Sequence, residues 1–307
     1  MERDRRIGAF ILGAAVLVAL LIVGGRLLGG RDAVPQPAPT SAPLPIVPAT
    51  ATLAATGSPA TASPPPGPSL AADGGPLADG RRVVCLDPGH GGSDLGNVRR
   101  QNGVDLLYEK NFTLPHGLAL AERLRAQGLE VVLTREGDTN VNATNQDVNN
   151  DGIVAAPGGE ATSDELDDLL ARVLTCNAAA ADLLVSIHYN GAENDSLQGY
   201  EVWYNEDRPF SARAARFAAL AYEELGQSYL QAGYAAVPHG IGTADHAVTG
   251  PARPGKLTPS AMPGAVVEGL YLSNDEDAAF VVSDAAEGTI VGAYERAILR
   301  FFDEFPG

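Results

Sequence analysis

Hydrophobic and polar positions divide this chain into three regimes. Ile7 to Gly25 is an uncharged, almost wholly apolar run of the length that crosses a bilayer. Residues 32–80 are dominated by Pro, Ala, Ser, Thr and Gly and offer almost nothing to bury, the pattern of a disordered linker stiffened locally by Pro64-Pro65-Pro66. From residue 81 onward, short apolar runs ended by glycine or proline alternate with amphipathic stretches. That alternation predicts an α/β fold: a single domain over 81–307 with a mostly parallel twisted sheet and helices on both faces.

The runs predict the elements in order. Val83-Val84-Cys85-Leu86 reads as a buried strand stopped by Asp87-Pro88-Gly89. Asp94 to Leu107 is polar and reads as a surface loop. Asn111 is the expected N-cap of an amphipathic helix through Gln127, with Pro115 in its first turn. Leu129 to Thr134 is a second buried strand. Arg135 to Asp168 holds nine acidic residues and no basic one after Arg135, which marks an acidic insertion at about 136–165.

The next helix is expected from Asp164 to Ala180, with Leu166, Leu169, Leu170, Val173 and Leu174 as its apolar stripe. Strands are then expected at Leu183 to Ile187 and Gly199 to Tyr204, and Pro209 opens a long helix to Leu230. The Gly/Pro-rich stretch 233–264 reads as loop, with one short strand at His246 to Val248. Gly264 to Tyr271 is the last strand, Asn274 caps a short helix, and a helix over 284–304 closes the domain.

Charge and cysteine content narrow the setting. The chain has a net charge of −17, all of it carried beyond residue 79, since the first 79 residues balance five acids against five bases. A surface this acidic excludes nucleic acid and anionic lipid headgroups as partners. Arg3, Arg5 and Arg6 ahead of the apolar run favour export of the chain beyond it, and no small-x-small site comes after that run. Residues 1–31 therefore read as an uncleaved transmembrane anchor in preference to a signal peptide. The expected location is the cell envelope, with the folded domain outside and monomeric. Cys85 falls in a core strand and Cys176 on a helix's apolar side, so both read as buried free thiols, in a compartment that permits a disulfide.

Candidate chemistry gathers where strands end. His90 lies in the Gly-His-Gly-Gly turn after the first strand, and His188 ends the run Leu183 to Ile187. Strand carboxyl ends are where open α/β sheets build sites, and two histidines there suit a hydrolytic zinc. Glu109, at the start of the next helix, is a natural third ligand. Glu268 sits in an otherwise apolar strand, where a carboxylate is costly without a cation or polarised water beside it, and reads as a general base. Arg172 is the alternative partner for that carboxylate. A candidate calcium loop runs from Asp147 through Asn149 and Asp151 to the carbonyl of Ile153. Its twelfth position is Gly158, so Glu160 or Asp164 would have to complete the Ca2+ site.

Asp87-Pro88-Gly89-His90-Gly91-Gly92, Glu109-Lys110-Asn111, Arg172 to Asn177, Ser186-Ile187-His188-Tyr189-Asn190 and Val267 to Asn274 stand in the order found in the zinc-dependent N-acetylmuramoyl-L-alanine amidases, and this chain resembles them over nearly all of 82–304. The resemblance implies one Zn2+ on His90, Glu109 and His188, with Glu268 as the catalytic carboxylate. It implies cleavage of the amide between N-acetylmuramic acid and L-alanine in peptidoglycan.

The chain departs from the family where Glu268-Gly269-Leu270-Tyr271 replaces Glu-Leu-Gly-Phe, and in the length of its acidic insertion, which is too polar for a covering helix. His239 and His246, on the Gly/Pro-rich loop, are candidates for stabilising the oxyanion. Asn190 is a candidate to orient His188 or touch substrate, as Arg172 is from its own motif. The competing readings are a catalytically silent peptidoglycan-binding module, a zinc peptidase acting on stem peptides, and a purely structural exported module.

Overall fold

The structure, a computed structural model, describes residues 80–154, 165–253 and 255–306. In chain order its elements are β1 (Val83–Pro88), β2 (Val98–Gln101), β3 (Val104–Tyr108), α1 (Lys110–Ala126), β4 (Glu130–Leu133), α2 (Glu165–Ala178) and β5 (Leu183–Asn190). After these come β6 (Tyr200–Tyr204), α3 (Ser211–Gln231), β7 (Pro238–Thr243), β8 (Gly264–Tyr271), α4 (Asp275–Val281) and α5 (Ala286–Glu304). The expected anchor and linker, residues 1–31 and 32–80, lie outside the described residues except for Gly80. Among the described residues no helix is long and apolar enough to cross a membrane.

Six strands form one sheet in the order β4-β1-β5-β8-β6-β7. All neighbours run parallel except β6, which is antiparallel to β8. Alternation along each strand sorts the core into two layers. Val84, Leu86, Leu183, Val185, Ile187 and Val267 pack into the layer shared with α1, α3 and α5. Val83, Cys85, Leu184 and Val266 pack against α2 through Leu170, Val173 and Cys176. The same alternation turns Asp87, Ser186, His188 and Glu268 towards the α2 side, at or near the carboxyl ends of β1, β5 and β8.

Several expectations need correction. The stretch 94–107, expected to be loop, is not all loop: β2 and β3 form an antiparallel hairpin across Asn102-Gly103, both in the left-handed region, so the two-residue turn sets the structure where the polar residues suggested none. Helix α1 begins earlier than expected, with Glu109 and not Asn111 at its N-cap. In the 233–264 stretch the strand is β7, pairing with β6; His246 to Val248 is not a strand. On α2 the stripe shifts: Leu166 and Leu174 are exposed and Cys176 is buried. Cys85 and Cys176 are not free thiols but are joined in a disulfide that ties β1 to α2, because the facing alternation of strand and helix brings their Cα atoms within 5.5 Å. Asn274 caps α4 as expected, accepting from the backbone N–H of Glu276 and Asp277.

Candidate active site

His90 reaches the site through a turn that only an unusual backbone can make. Its own φ is 62°, followed by 129° at Gly91 and 60° at Gly92. Gly89 lies so close beneath His188 that a Cβ there would stand 2.2 Å from the imidazole. The turn is braced from below. Arg172, on α2 and buried, donates to Asp87 Oδ1 (2.9 Å), to the Pro88 carbonyl (3.0 Å) and to the His90 carbonyl (2.8 Å), and it pairs with Asp168. Arg135 donates to the carbonyls of Pro88 and Gly89, each at 2.8 Å. Asp87 is held low in proton affinity: burial alone would raise it, but Arg172 and the hydroxyls of Thr134 and Ser186 prevail.

Three side chains converge above this base. Glu109 Oε2 lies 3.0 Å from His90 Nε2, Glu109 Oε1 lies 3.0 Å from His188 Nδ1, and the two ring nitrogens stand 3.1 Å apart. Glu109 is completely buried. Its carboxylate also accepts from the backbone N–H of Asn97 (2.8 Å), from Asn97 Nδ2 (3.0 Å) and from the Tyr189 N–H (2.8 Å). His90 Nδ1 faces Asp94 Oδ2 at 2.8 Å, an arrangement that fixes a ligand histidine's tautomer.

Two nitrogens and a carboxylate oxygen at these spacings fit a tetrahedral ion, whose ligand atoms at bonds of about 2.0–2.1 Å stand roughly 3.3 Å apart. Among the described residues this is the one cluster of three His, Cys, Asp or Glu ligand atoms. Burial pulls His90 down, but Asp94 and Glu109 lift it to about 10, and Glu109 is driven well below the usual carboxylate range by the two histidines against its burial.

Glu268 is paired in register with His188 on the adjacent strand. Its Oε2 is buried with no hydrogen-bond partner, and burial, reinforced by Glu109 and Glu201 and opposed by His188 and His90, raises it to about 7. His90, His188 and Glu268 open onto a cleft of about 470 Å³, whose walls include Asp94, Asn140, Leu169, Arg172, His246 and Val248.

The family model for N-acetylmuramoyl-L-alanine amidases matches residues 84–300. The chain belongs to that family. It is similar to the germination-specific N-acetylmuramoyl-L-alanine amidase of Bacillus subtilis, with 27% identity over 226 residues, 73% of this chain and 81% of that one. Among solved structures it is similar to the amidase AmiC2 of Nostoc punctiforme (25% identity, TM-score 0.53, covering 72% of this chain and 97% of that one). It also shares its fold with the CwlD amidase of Clostridioides difficile, solved in complex with the GerS lipoprotein (21% identity, TM-score 0.57, covering 73% and 100%).

Other residues singled out in the sequence divide between the cleft walls and positions outside them in the amidase. Asn190 donates to Glu201 (2.5 Å) and does not orient His188. Arg172 is spoken for by Asp87 and Asp168, so it is not the partner of Glu268. His239 is exposed on β7 and donates from Nε2 to the Gln198 carbonyl at 2.7 Å, away from the cleft walls. His246 does line the cleft.

The calcium expectation gains no support. Asp147 accepts from the N–H groups of Asp151 and Gly152, Asn149 from Asp151, and Asp151 from Ile153, so the loop spends its oxygens on its own turn. Gly158, Glu160 and Asp164 lie outside the described residues. The sequence did not single out Asp94, Asn97 or Arg135. Asp94 and Asn97 had only their closeness to the histidine turn as a signal, and Arg135, just after β4, had none, since polar residues in a loop carry no periodicity.

Proposed function

We propose that this amidase hydrolyses the bond between the lactyl carbonyl of N-acetylmuramic acid and L-alanine with one zinc ion held by His90, Glu109 and His188. The carrying observation is Glu268 Oε2, buried, unpartnered and on the strand beside His188. A lone carboxylate oxygen kept dry in an apolar strand is costly unless it has a proton to handle.

Zinc, when bound, supplies Lewis acidity at the amide carbonyl and a water of lowered proton affinity. Glu268 takes a proton from the attacking water as its oxygen joins the carbonyl carbon. The carbon–nitrogen bond then breaks as Glu268 returns that proton to the departing L-alanine nitrogen, which would otherwise leave as an unstable amide anion. Asp94 and Asn97 hold His90 and Glu109 in place through this cycle. Arg172 keeps the His90 turn from relaxing out of its left-handed conformation.

Peptidoglycan as substrate puts the work outside the cytoplasm. The apolar run at 7–25 and the proline-rich linker after it support a domain tethered to the membrane and reaching the wall, with the catalytic domain spanning 81–307. The test is purified peptidoglycan treated with the full chain, with soluble products read by mass spectrometry. Intact stem peptides should be released, and release should stop with a zinc chelator or with Glu268→Ala. Cleavage within the stem would replace this reading with a peptidase.

A further inference from the structure

Resting on the amidase reading, we propose that His246 is a further catalytic residue, whose Nε2–H donates a hydrogen bond to the scissile carbonyl oxygen as that oxygen takes up negative charge. Three observations lead there. His246 lines the same cleft as His188 and Glu268. Its Nε2 is buried and has no hydrogen-bond partner, a standing cost that a purely packing role would not require. The chain around it is fastened to an extent that a Gly/Pro-rich loop does not need for its own sake.

That fastening acts on both neighbours. Asp245 is held by Arg253, which donates to its carbonyl (2.6 Å) and its carboxylate (2.9 Å), and by Asn205 Nδ2 (3.3 Å). Ala247 is held through its carbonyl by the ammonium of Lys256, a lysine only 2% exposed, which also donates to the Gly250 carbonyl at 3.1 Å. The His246 carbonyl itself accepts from the Gly250 N–H at 2.7 Å. Gly250 has no room for a side chain, since a Cβ would stand 2.0 Å from Asp245 Oδ1. Trp203 then meets the imidazole edge to face, with centroids 6.2 Å apart, and limits its rotation.

A preorganised donor facing the reacting group is the arrangement that stabilises charge developing in acyl transfer, because the dipole need not reorient when the reaction occurs. The ring is suited to donate as a neutral imidazole: burial, and then the nearby His188 and Arg253, hold its proton affinity below the ordinary histidine value. His239, the other histidine of this stretch, gives its Nε2–H to a backbone carbonyl and does not line the cleft.

The experiment compares the zinc-loaded full chain with His246→Ala, His246→Phe and His246→Gln on soluble muropeptides, recording kcat, KM, zinc content and thermal midpoint. Ala and Phe should each lower kcat by about 10²- to 10³-fold, with KM within about twofold and zinc content unchanged. Gln, whose amide N–H can take the place of Nε2–H, should recover about tenfold or more. Phe fills the ring's space without a donor, so it decides the matter if the Ala variant fails to fold. Wild-type kcat in the Phe variant, loss of activity in step with loss of zinc, or no recovery with Gln would each overturn the proposal. Absence of stem-peptide release by the wild-type chain would instead remove the amidase reading beneath it.

Discussion

Glu268 stands directly opposite Glu201 across the antiparallel pair of β8 and β6, while on its other side it is in register with His188 of β5. Residues opposite one another on paired strands point to the same face. The proposed general base is thus placed between a second carboxylate and a histidine of the candidate metal site, in a strand whose other members are apolar. Burial is the main reason it holds its proton up to about 7.

This placement makes Glu268 a burden to the metal-free fold. Its folded proton affinity lies above the ordinary glutamate value of 4.5. The folded state therefore binds more protons than the unfolded chain between about 4.5 and 7, and stability from this group falls as pH rises through that window. Glu268→Gln should abolish hydrolysis. In chelated protein it should also raise stability by about 2–3 kcal/mol at pH 8 and by little at pH 4. Urea unfolding at the two pH values reads this, and equal destabilisation at both would mean that the carboxylate is not ionised at a cost.

Among the described residues Glu109, His90 and His188 form the one cluster that could hold a metal ion. Zinc should raise the thermal midpoint of the wild-type chain in a concentration-dependent way, because an ion that binds the folded state alone stabilises it by mass action. His90→Ala and His188→Ala should lose that dependence, and Glu109→Ala should lose it while also stranding the N–H groups of Asn97 and Tyr189. A calorimetric series with and without zinc decides, and a midpoint in His188→Ala that still climbs with zinc would move the ion elsewhere.

How much of this was legible in the sequence depends on which signals are local. Buried runs ending in breakers located β1, β5 and β8, and with them His90, His188 and Glu268. Glu109 was legible because a helix start comes after the first turn. The hairpin β2–β3 was not, since the polar run Arg99 to Gln101 masks the short alternation Val104, Leu106, Tyr108, and the hairpin is held by its own turn. The Cys85–Cys176 link was missed because two residues that each look like core give no sign of facing one another until strand and helix are docked. Asp94 and Asn97 matter only through side chains that arrive from elsewhere in the fold, which periodicity cannot report.

Arg172 carries a separate expectation. It is 3% exposed, and its partner Asp87 is 1% exposed. Removing one member of a buried pair leaves the other charge uncompensated, at about 3–5 kcal/mol. Arg172→Ala should cost that much. Arg172→Lys should fold better, yet one ammonium cannot reach Asp87, Asp168 and the Pro88 and His90 carbonyls together. Zinc affinity in the Lys variant should therefore fall about 10- to 100-fold, as when support behind a metal ligand is lost. Zinc competition against a chromogenic chelator measures it, and an unchanged affinity would show that the His90 turn holds itself.

The disulfide is where stability and catalysis should part company. Cys85 and Cys176 close a sequence separation of 91 residues, long enough that cross-linking strongly restricts the unfolded chain. Replacing both with alanine should lower unfolding free energy by about 2–4 kcal/mol. The cleft should survive, because β1 and α2 remain joined by Arg172, Asp87 and the surrounding apolar contacts, so kcat at 25 °C should stay within about twofold. Peptide mapping without reductant should recover residues 85 and 176 in one linked species. Two titratable thiols in the denatured wild-type chain would remove the link, and a large loss of kcat in a folded double variant would mean that the bond also shapes the cleft.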